Sequence, residues 1–216
     1  MSGIVGIAHA DGSAVNLRLL RQMTLWLSFR GPDAQEIWAD GPAGLGHTLF
    51  STARDPEHER QPATLDEQTW ITADIRLDAR EELVEALRSR GQGANLSDAD
   101  AQLLLRAYEA WGEGCLDHLL GDFAFAIWDA RRRELFCACD HFGIKQLYFA
   151  EAGRAFIFSN TLDCVRLHPD VPDRLNDAAI ADFLMFGMNY NAATTSFAEI
   201  VFRSRWRCGG CCAGEA

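Results

Sequence analysis

The sequence predicts an α+β domain built in layers, and two patterns carry that reading. From Phe123 onward, short apolar runs at Phe123–Trp128, Glu134–Cys139, Leu147–Ala150 and Ala155–Ser159 are parted by Asp129–Arg132 and Glu151–Arg154, breaks suited to hairpins. The runs are nearly continuous rather than alternating, so both faces of their sheets must be covered. Segments with helical apolar spacing lie between the groups of strands and supply that cover.

The elements follow in order. Met1-Ser2-Gly3-Ile4-Val5-Gly6-Ile7 reads as a short buried strand at the start of the chain. Asn16 is a good N-cap for a helix over residues 17–28, in which Leu17, Leu19, Leu20, Met23, Trp26 and Leu27 recur at helical spacing. A loop from Phe29 to Ala34 leads to strands at 35–39 and 43–51. A strand at Trp70–Arg76 feeds a helix over about 78–90 whose Leu83, Val84 and Leu87 form a stripe. Ser97 with Asp100 makes a capping box for a helix that turns Leu103, Leu104, Ala107, Tyr108 and Trp111 inward. Residues 176–187 form one more helix behind a Pro-bearing linker at 169–172.

A chain of 216 residues is within reach of one large core plus a tail. Its 31 acids against 20 bases give a net charge of −11, which repels phosphate backbones and anionic membrane surfaces and argues against a nucleic-acid or membrane partner. No apolar run approaches the roughly 20 residues a bilayer requires, and no signal core follows the N-terminus, so a cytoplasmic protein is expected. Seven cysteines at 115, 137, 139, 164, 208, 211 and 212 form no secreted disulfide framework and read as reduced thiols. Cys208, Cys211 and Cys212 could hold half a zinc site, but a second ligand pair is absent from the sequence, so no metal is expected. His47 reads as a core or supporting histidine, and Cys137 and Cys139 as core fillers.

Seven segments stand in a telling order: Gly3-Ile4-Val5-Gly6-Ile7, Arg30-Gly31-Pro32-Asp33, Leu45-Gly46-His47, Gln61-Pro62, Ser97-Asp98, Gly121 to Asp129, and Asp140 to Tyr148. In them the chain resembles the N-terminal class II glutamine amidotransferase domain of asparagine synthetases and their relatives, including lasso-peptide cyclases. The resemblance runs from residue 2 to about 200 and implies a four-layer αββα sandwich of the N-terminal-nucleophile hydrolase type. It places the domain at residues 1–168, a linker and helix leading to a missing synthetase domain at 169–200, and an irregular, disordered tail at 201–216.

In that family, removal of the initiator Met exposes a cysteine whose own α-amine takes the thiol proton. The thiolate attacks the side-chain amide of glutamine, and ammonia leaves for a second domain that uses ATP and magnesium. An amine titrating near 8 is well matched to a thiol near 8.5. Here Ser2 stands at the nucleophile position, and an alkoxide is far harder to generate than a thiolate. Leu49 replaces an arginine that grips the glutamine carboxylate in a bidentate pair. Thr72-Ala73-Asp74 aligns with the Asn-Gly-Glu stretch that supplies the oxyanion hole and a substrate-binding acid. Losing one such donor costs on the order of 100-fold to 1000-fold in rate. Asp98 matches an acid that binds the glutamine amino group, and serves equally well as an acid in the first turn of a helix. Arg30 and Asp33 form a loop that braces the nucleophile.

The expectation is a degenerate glutaminase domain of a glutamine-hydrolysing asparagine synthase-type protein, with its activity lost and glutamine binding not expected. It would act as a scaffold or docking module for a synthetase-domain protein or peptide ligase machinery, with no cofactor in this chain and ATP and magnesium confined to the missing synthetase domain. A live amidohydrolase using Ser2 to supply ammonia is the rival reading. A non-functional gene fragment is the third, since the switch to Arg, Trp, Cys and Gly after residue 200 suggests a changed reading frame or a truncated gene.

Overall fold

The computed structural model describes residues 1–51, 59–202 and 205–209. Among them eleven strands form two antiparallel sheets. The first sheet contains β1 (Gly3–His9), β2 (Ala34–Asp40), β3 (Ala43–Leu49), β8 (Tyr148–Ala152), β9 (Ala155–Ser159) and β10 (Ile200–Phe202), in the order β10-β8-β9-β1-β3-β2. The second contains β4 (Ala63–Thr64), β5 (Thr69–Leu77), β6 (Gly121–Asp129), β7 (Glu134–Cys139) and β11 (Arg205–Gly209), in the order β11-β7-β6-β5-β4. Helices α1 (Leu17–Trp26) and α4 (Leu162–Arg166) cover the outer face of the first sheet, and α2 (Arg80–Ser89) and α3 (Asp100–Trp111) that of the second. Helix α5 (Asp177–Phe186) precedes β10. The four αββα layers implied by the resemblance are present.

The period of two along each strand explains why the strands read as unbroken apolar runs. On β6, Phe123, Phe125 and Ile127 point to the helices, while Ala124, Ala126 and Trp128 point between the sheets. On β7, Phe136 and Ala138 face the helices and Leu135, Cys137 and Cys139 face the inter-sheet core. Phe156 and Phe158 of β9 meet that core, and Ile157 between them packs under α1. Small residues make room for large ones. A β-carbon on Gly6 would lie 2.3 Å from the Phe158 ring and 2.9 Å from the Gly44 carbonyl oxygen, so a glycine is required beneath that aromatic. Trp38 of β2 stacks on Trp70 of β5 across the sheets with centroids 4.7 Å apart.

Helix boundaries differ from the expectations in informative ways. Asn16 caps α1 by accepting from the Arg18 and Leu19 amides, and Leu20, Met23 and Leu27 are buried, whereas Leu17 and Trp26 face outward. The Ser97 and Asp100 box does not form. The cap is Ala99, whose N–H donates to Gln102 Oε1 at 3.1 Å. Asp100 turns away instead, accepting from the Leu77 amide at 2.8 Å and pairing with Arg80, because the end of β5 leaves that amide without a strand partner.

The expected irregular tail is corrected for residues 201–202 and 205–209. Val201 and Phe202 continue β10, and Arg205–Gly209 pairs along β7 from Ala138 to Glu134. An edge strand offers unpaired N–H and C=O groups that accept another strand largely regardless of its side chains, which is why this segment's composition did not reveal it. Cys211 and Cys212 lie outside the described residues, as does the side chain of Cys208. Segment 169–200 is not a free linker: Val171 and Ile200 are buried in the core under the first sheet.

The inter-sheet core sets one expectation. Phe158→Ala removes a fully buried ring and should lower stability by about 3–5 kcal/mol. Urea unfolding followed by tryptophan fluorescence measures this, and a loss below about 1 kcal/mol would mean the sheets can close over the gap.

Candidate functional site

The site forms where β1 begins, because the first strand runs through the middle of one sheet and its N-terminal end opens between the two. Ser2 is 9% exposed and held by every polar atom of its frame. Its amide donates to Asp74 Oδ1 at 3.2 Å, its Oγ accepts from the Phe50 amide at 3.2 Å, and its carbonyl accepts from Asn160 Nδ2 at 2.9 Å. Asn160 also accepts from the Ile4 amide at 3.0 Å, so one carboxamide clamps both sides of the strand's first turn of backbone.

Beside Ser2 opens a cavity of about 660 Å³, bordered by Leu49, Gln61, Asp74, Ile75, Arg76, Asp98 and Lys145 among others. Of the residues predicted from sequence, Ser2, Leu49, Ala73, Asp74 and Asp98 border it. Thr72 does not: fully buried between the sheets, it donates its hydroxyl to the Gly46 carbonyl at 3.1 Å. Nor is Ala73 a free donor, because its N–H is bonded to Gln61 Oε1 at 2.6 Å while Gln61 Nε2 donates back to the Ala73 carbonyl at 3.2 Å. That carboxamide extends the edge of β5 past the end of β4 and closes it.

The two acids are likewise engaged. Both oxygens of Asp74 lie 3.1 Å from Lys145 Nζ, and Arg30 Nη2 stands 3.8 Å from Oδ2. Asp98 accepts through Oδ2 from Arg106 Nε at 3.2 Å and from the Asn95 amide at 3.0 Å. Leu49, 4% exposed, offers the cavity an aliphatic wall.

The Arg30 to Asp33 loop holds this arrangement from behind. Arg30 Nε donates to the Ser2 carbonyl at 3.4 Å, and Asp33 Oδ2 accepts from the Ser51 amide at 2.8 Å. Gly31 lets the loop pass against β3, since a β-carbon there would sit 2.2 Å from the Thr48 carbonyl oxygen.

Lys145 and Asn160 were not legible as site residues from the sequence. Lys145 belongs to the Asp140 to Tyr148 segment, whose shape comes from Asp140 accepting from the Ile144 and Lys145 amides at 2.8 Å each. The fold of that loop, not its spacing, swings the ammonium onto Asp74. Asn160 gave one signal, a polar residue directly after the apolar strand Ala155–Ser159.

His47 is 1% exposed and lies between the sheets rather than on the cavity wall. Burial pushes its pKa down to about 4, partly opposed by a bond to the Ala73 backbone, and its Nε2 has no hydrogen-bond partner among the described residues. It is a neutral core histidine. Burial, the largest effect, also lowers the Met1 amine below its usual value, with Asp74 acting the other way. Among the described residues no cluster of three or more His, Cys, Asp or Glu could hold a metal ion, and no helix is long and apolar enough to cross a membrane.

Chemically, the polar groups around Ser2 are already engaged within the chain. Beside Ser2 the Asp74 carboxylate is neutralised by Lys145 and Arg30, while the Thr72 hydroxyl and Ala73 N–H are spent on the chain's own carbonyl and carboxamide. A zwitterionic amino acid would find an aliphatic wall at Leu49 and two carboxylates already paired with Lys145 and Arg106.

Comparison with known proteins identifies the family and the fold. Residues 1–203 match the family model of the glutamine amidotransferase domain. Over 204 residues the chain is 34% identical to asparagine synthetase [glutamine-hydrolyzing] 3 of Bacillus subtilis (strain 168), covering 93% of this chain and 33% of that protein. Asparagine synthetase [glutamine-hydrolyzing] 2 of the same organism is 26% identical over 205 residues, 93% of this chain and 27% of that one. The chain thus spans about a third or less of the length of these relatives. Among solved structures, glutamine phosphoribosylpyrophosphate amidotransferase from B. subtilis superposes with a TM-score of 0.63 at 16% identity, covering 97% of this chain and 49% of that one.

Two measurements probe the site. Lys145→Met leaves the nearly buried Asp74 carboxylate with the more distant Arg30 and the Met1 amine as cations, and should lower stability by about 3 kcal/mol; Asp74→Asn with Lys145→Met should recover most of it. Chemical denaturation of both variants checks this, and equal losses would deny the pairing. For His47, the folded pKa lies below that of the unfolded chain, so the unfolded state takes up its proton first. Its contribution is intact above about pH 6.5 and falls by about 3 kcal/mol as pH drops to about 4. His47→Gln should flatten that part of the pH–stability curve, and an unchanged curve would place the titration elsewhere.

Proposed function

The chain belongs to the glutamine amidotransferase domain family, and from that membership we propose that it is a degenerate member, retaining the fold of a glutaminase without the hydrolysis of free glutamine. The observation that supports this most directly is the self-satisfaction of the site. Gln61 occupies the Ala73 backbone, Thr72 is bonded to Gly46, Lys145 covers Asp74, and Leu49 stands where a carboxylate-gripping arginine is expected. Working sites of this chemistry keep preorganised donors aimed at the developing oxyanion. Here those donors already have partners, so a ligand would have to break bonds before making any.

In this reading the domain serves an asparagine synthetase-like, amide-forming system of the kind that includes lasso-peptide cyclases, as a scaffold or docking module for the synthetase portion. Chemistry dependent on ATP and magnesium belongs to that portion. The relatives' extra length, two-thirds of the Bacillus subtilis protein at 34% identity, supports the existence of such a counterpart in the family.

A purified sample should release ammonia from glutamine no faster than buffer, and calorimetric titration with glutamine should give no saturable heat. Robust ammonia release that disappears in Ser2→Ala would overturn the reading in favour of Ser2 as an N-terminal nucleophile. Mass spectrometry of the N-terminus accompanies the assay, since retained Met1 removes the free α-amine that such a mechanism uses as its base.

A further inference from the structure

Helix α5 is built like the inside of a protein and sits on the outside. Between residues 175 and 198 the only charged residues are Asp177 and Asp182, and a helix this apolar on all sides is ordinarily enclosed. Yet Ala179 is its one buried residue. Phe183, Leu184, Met185 and Phe186 are 63%, 77%, 73% and 51% exposed, and Met188 and Tyr190 just beyond the helix are 61% and 69% exposed. The patch is preformed. Gly187 ends the helix with a left-handed φ of 72°, Tyr190 N donates to Asp182 Oδ2 at 3.3 Å, and the Phe186 and Tyr190 rings meet edge to face with centroids 4.9 Å apart. Large exposed apolar side chains gathered on one face of a folded protein mark a contact surface.

The occupant follows from two facts. Helix α5 lies within residues 1–203, the part shared with the family, and the Bacillus subtilis relative at 34% identity devotes only 33% of its length to the matched part. In such relatives the matched part, α5 included, is therefore joined to about twice its own length of further protein. A second copy of this chain fits worse, because two molecules of charge −11 would meet through faces whose only charges are the acids Asp177 and Asp182.

We propose that the exposed face of α5, from Phe183 to Tyr190, is the seat of the synthetase portion that accompanies this domain in its relatives. The proposal rests on the docking-module reading and names the surface through which it acts.

Hydrogen exchange distinguishes the possibilities. It is measured on the full chain alone and on two chimeras, in which residues 1–203 replace the matched 204 and 205 residues of the two Bacillus subtilis synthetases. The amides of residues 178–187 should exchange about ten-fold or more slowly in a chimera than in the isolated chain. Leu184→Asp or Met185→Asp in the chimera should return them to the isolated-chain rate while leaving β6 protection unchanged, which excludes general unfolding. Rates for α5 that stay the same in both chimeras, or failure of both chimeras to fold as one unit, would overturn the proposal. So would concentration-dependent protection in the isolated chain with dimers in sedimentation velocity, the signature of a second copy. Ammonia release by the isolated chain bears only on the degenerate-site reading, so failure of either idea can be told from failure of the other.

Discussion

The carboxylate of Asp74 is the point at which the two halves of the molecule are tied together. It stands on β5 in one sheet and accepts from the amide of Ser2 at the head of β1 in the other. Lys145, from the loop between β7 and β8, and Arg30, from the loop after α1, bring cations to the same group. An ion removed from water is tolerated only where its partners replace the lost hydration. Four segments far apart in sequence must therefore arrive together, and much of the surrounding geometry serves that requirement: Asp140 shaping the loop of Lys145, Gly31 letting the Arg30 loop lie against β3, and Asn160 fixing the backbone of Ser2.

The same economy governs the cavity beside Ser2. A catalytic pocket is destabilising in isolation, because donors and charges are held without partners until a substrate supplies them. In this chain the partners are internal. Gln61 bonds the Ala73 backbone in both directions, Thr72 turns its hydroxyl to Gly46, and Arg106 takes Asp98. A cavity of about 660 Å³ survives because its walls are the ends of strands and helices that the core fixes regardless of what lines them. Shape and lining are thus set separately: the layers fix the first, and the side chains at a few strand and helix ends fix the second. On the surface, α5 keeps an apolar face that the other described residues do not cover.

Legibility in the sequence followed the range of the interactions. The strands at Glu134–Cys139 and Ala155–Ser159 and the stripe of Leu83, Val84 and Leu87 were readable because side-chain period and burial are local properties of the backbone. Asn16 was readable as a cap for the same reason, its partners being two and three residues away. The cap of α3 is not legible locally, because Asp100 is claimed by Leu77, 23 residues earlier, and no local rule anticipates that competition. Strand β11 was missed since pairing to an edge uses backbone groups that every residue has.

By itself the sequence determined the layered α+β class, the order of most strands and helices up to β9, the family, and a serine at position 2 and a leucine at position 49. These depend on residue type and spacing along one dimension. Only the tertiary structure decided that Lys145 reaches Asp74 across 71 residues, that Gln61 seals Ala73, and that Thr72 faces away from the cavity. The physical reason is that a hydrogen bond or ion pair is fixed by distance and direction in space, and a side chain's type names its possible partners without choosing among them.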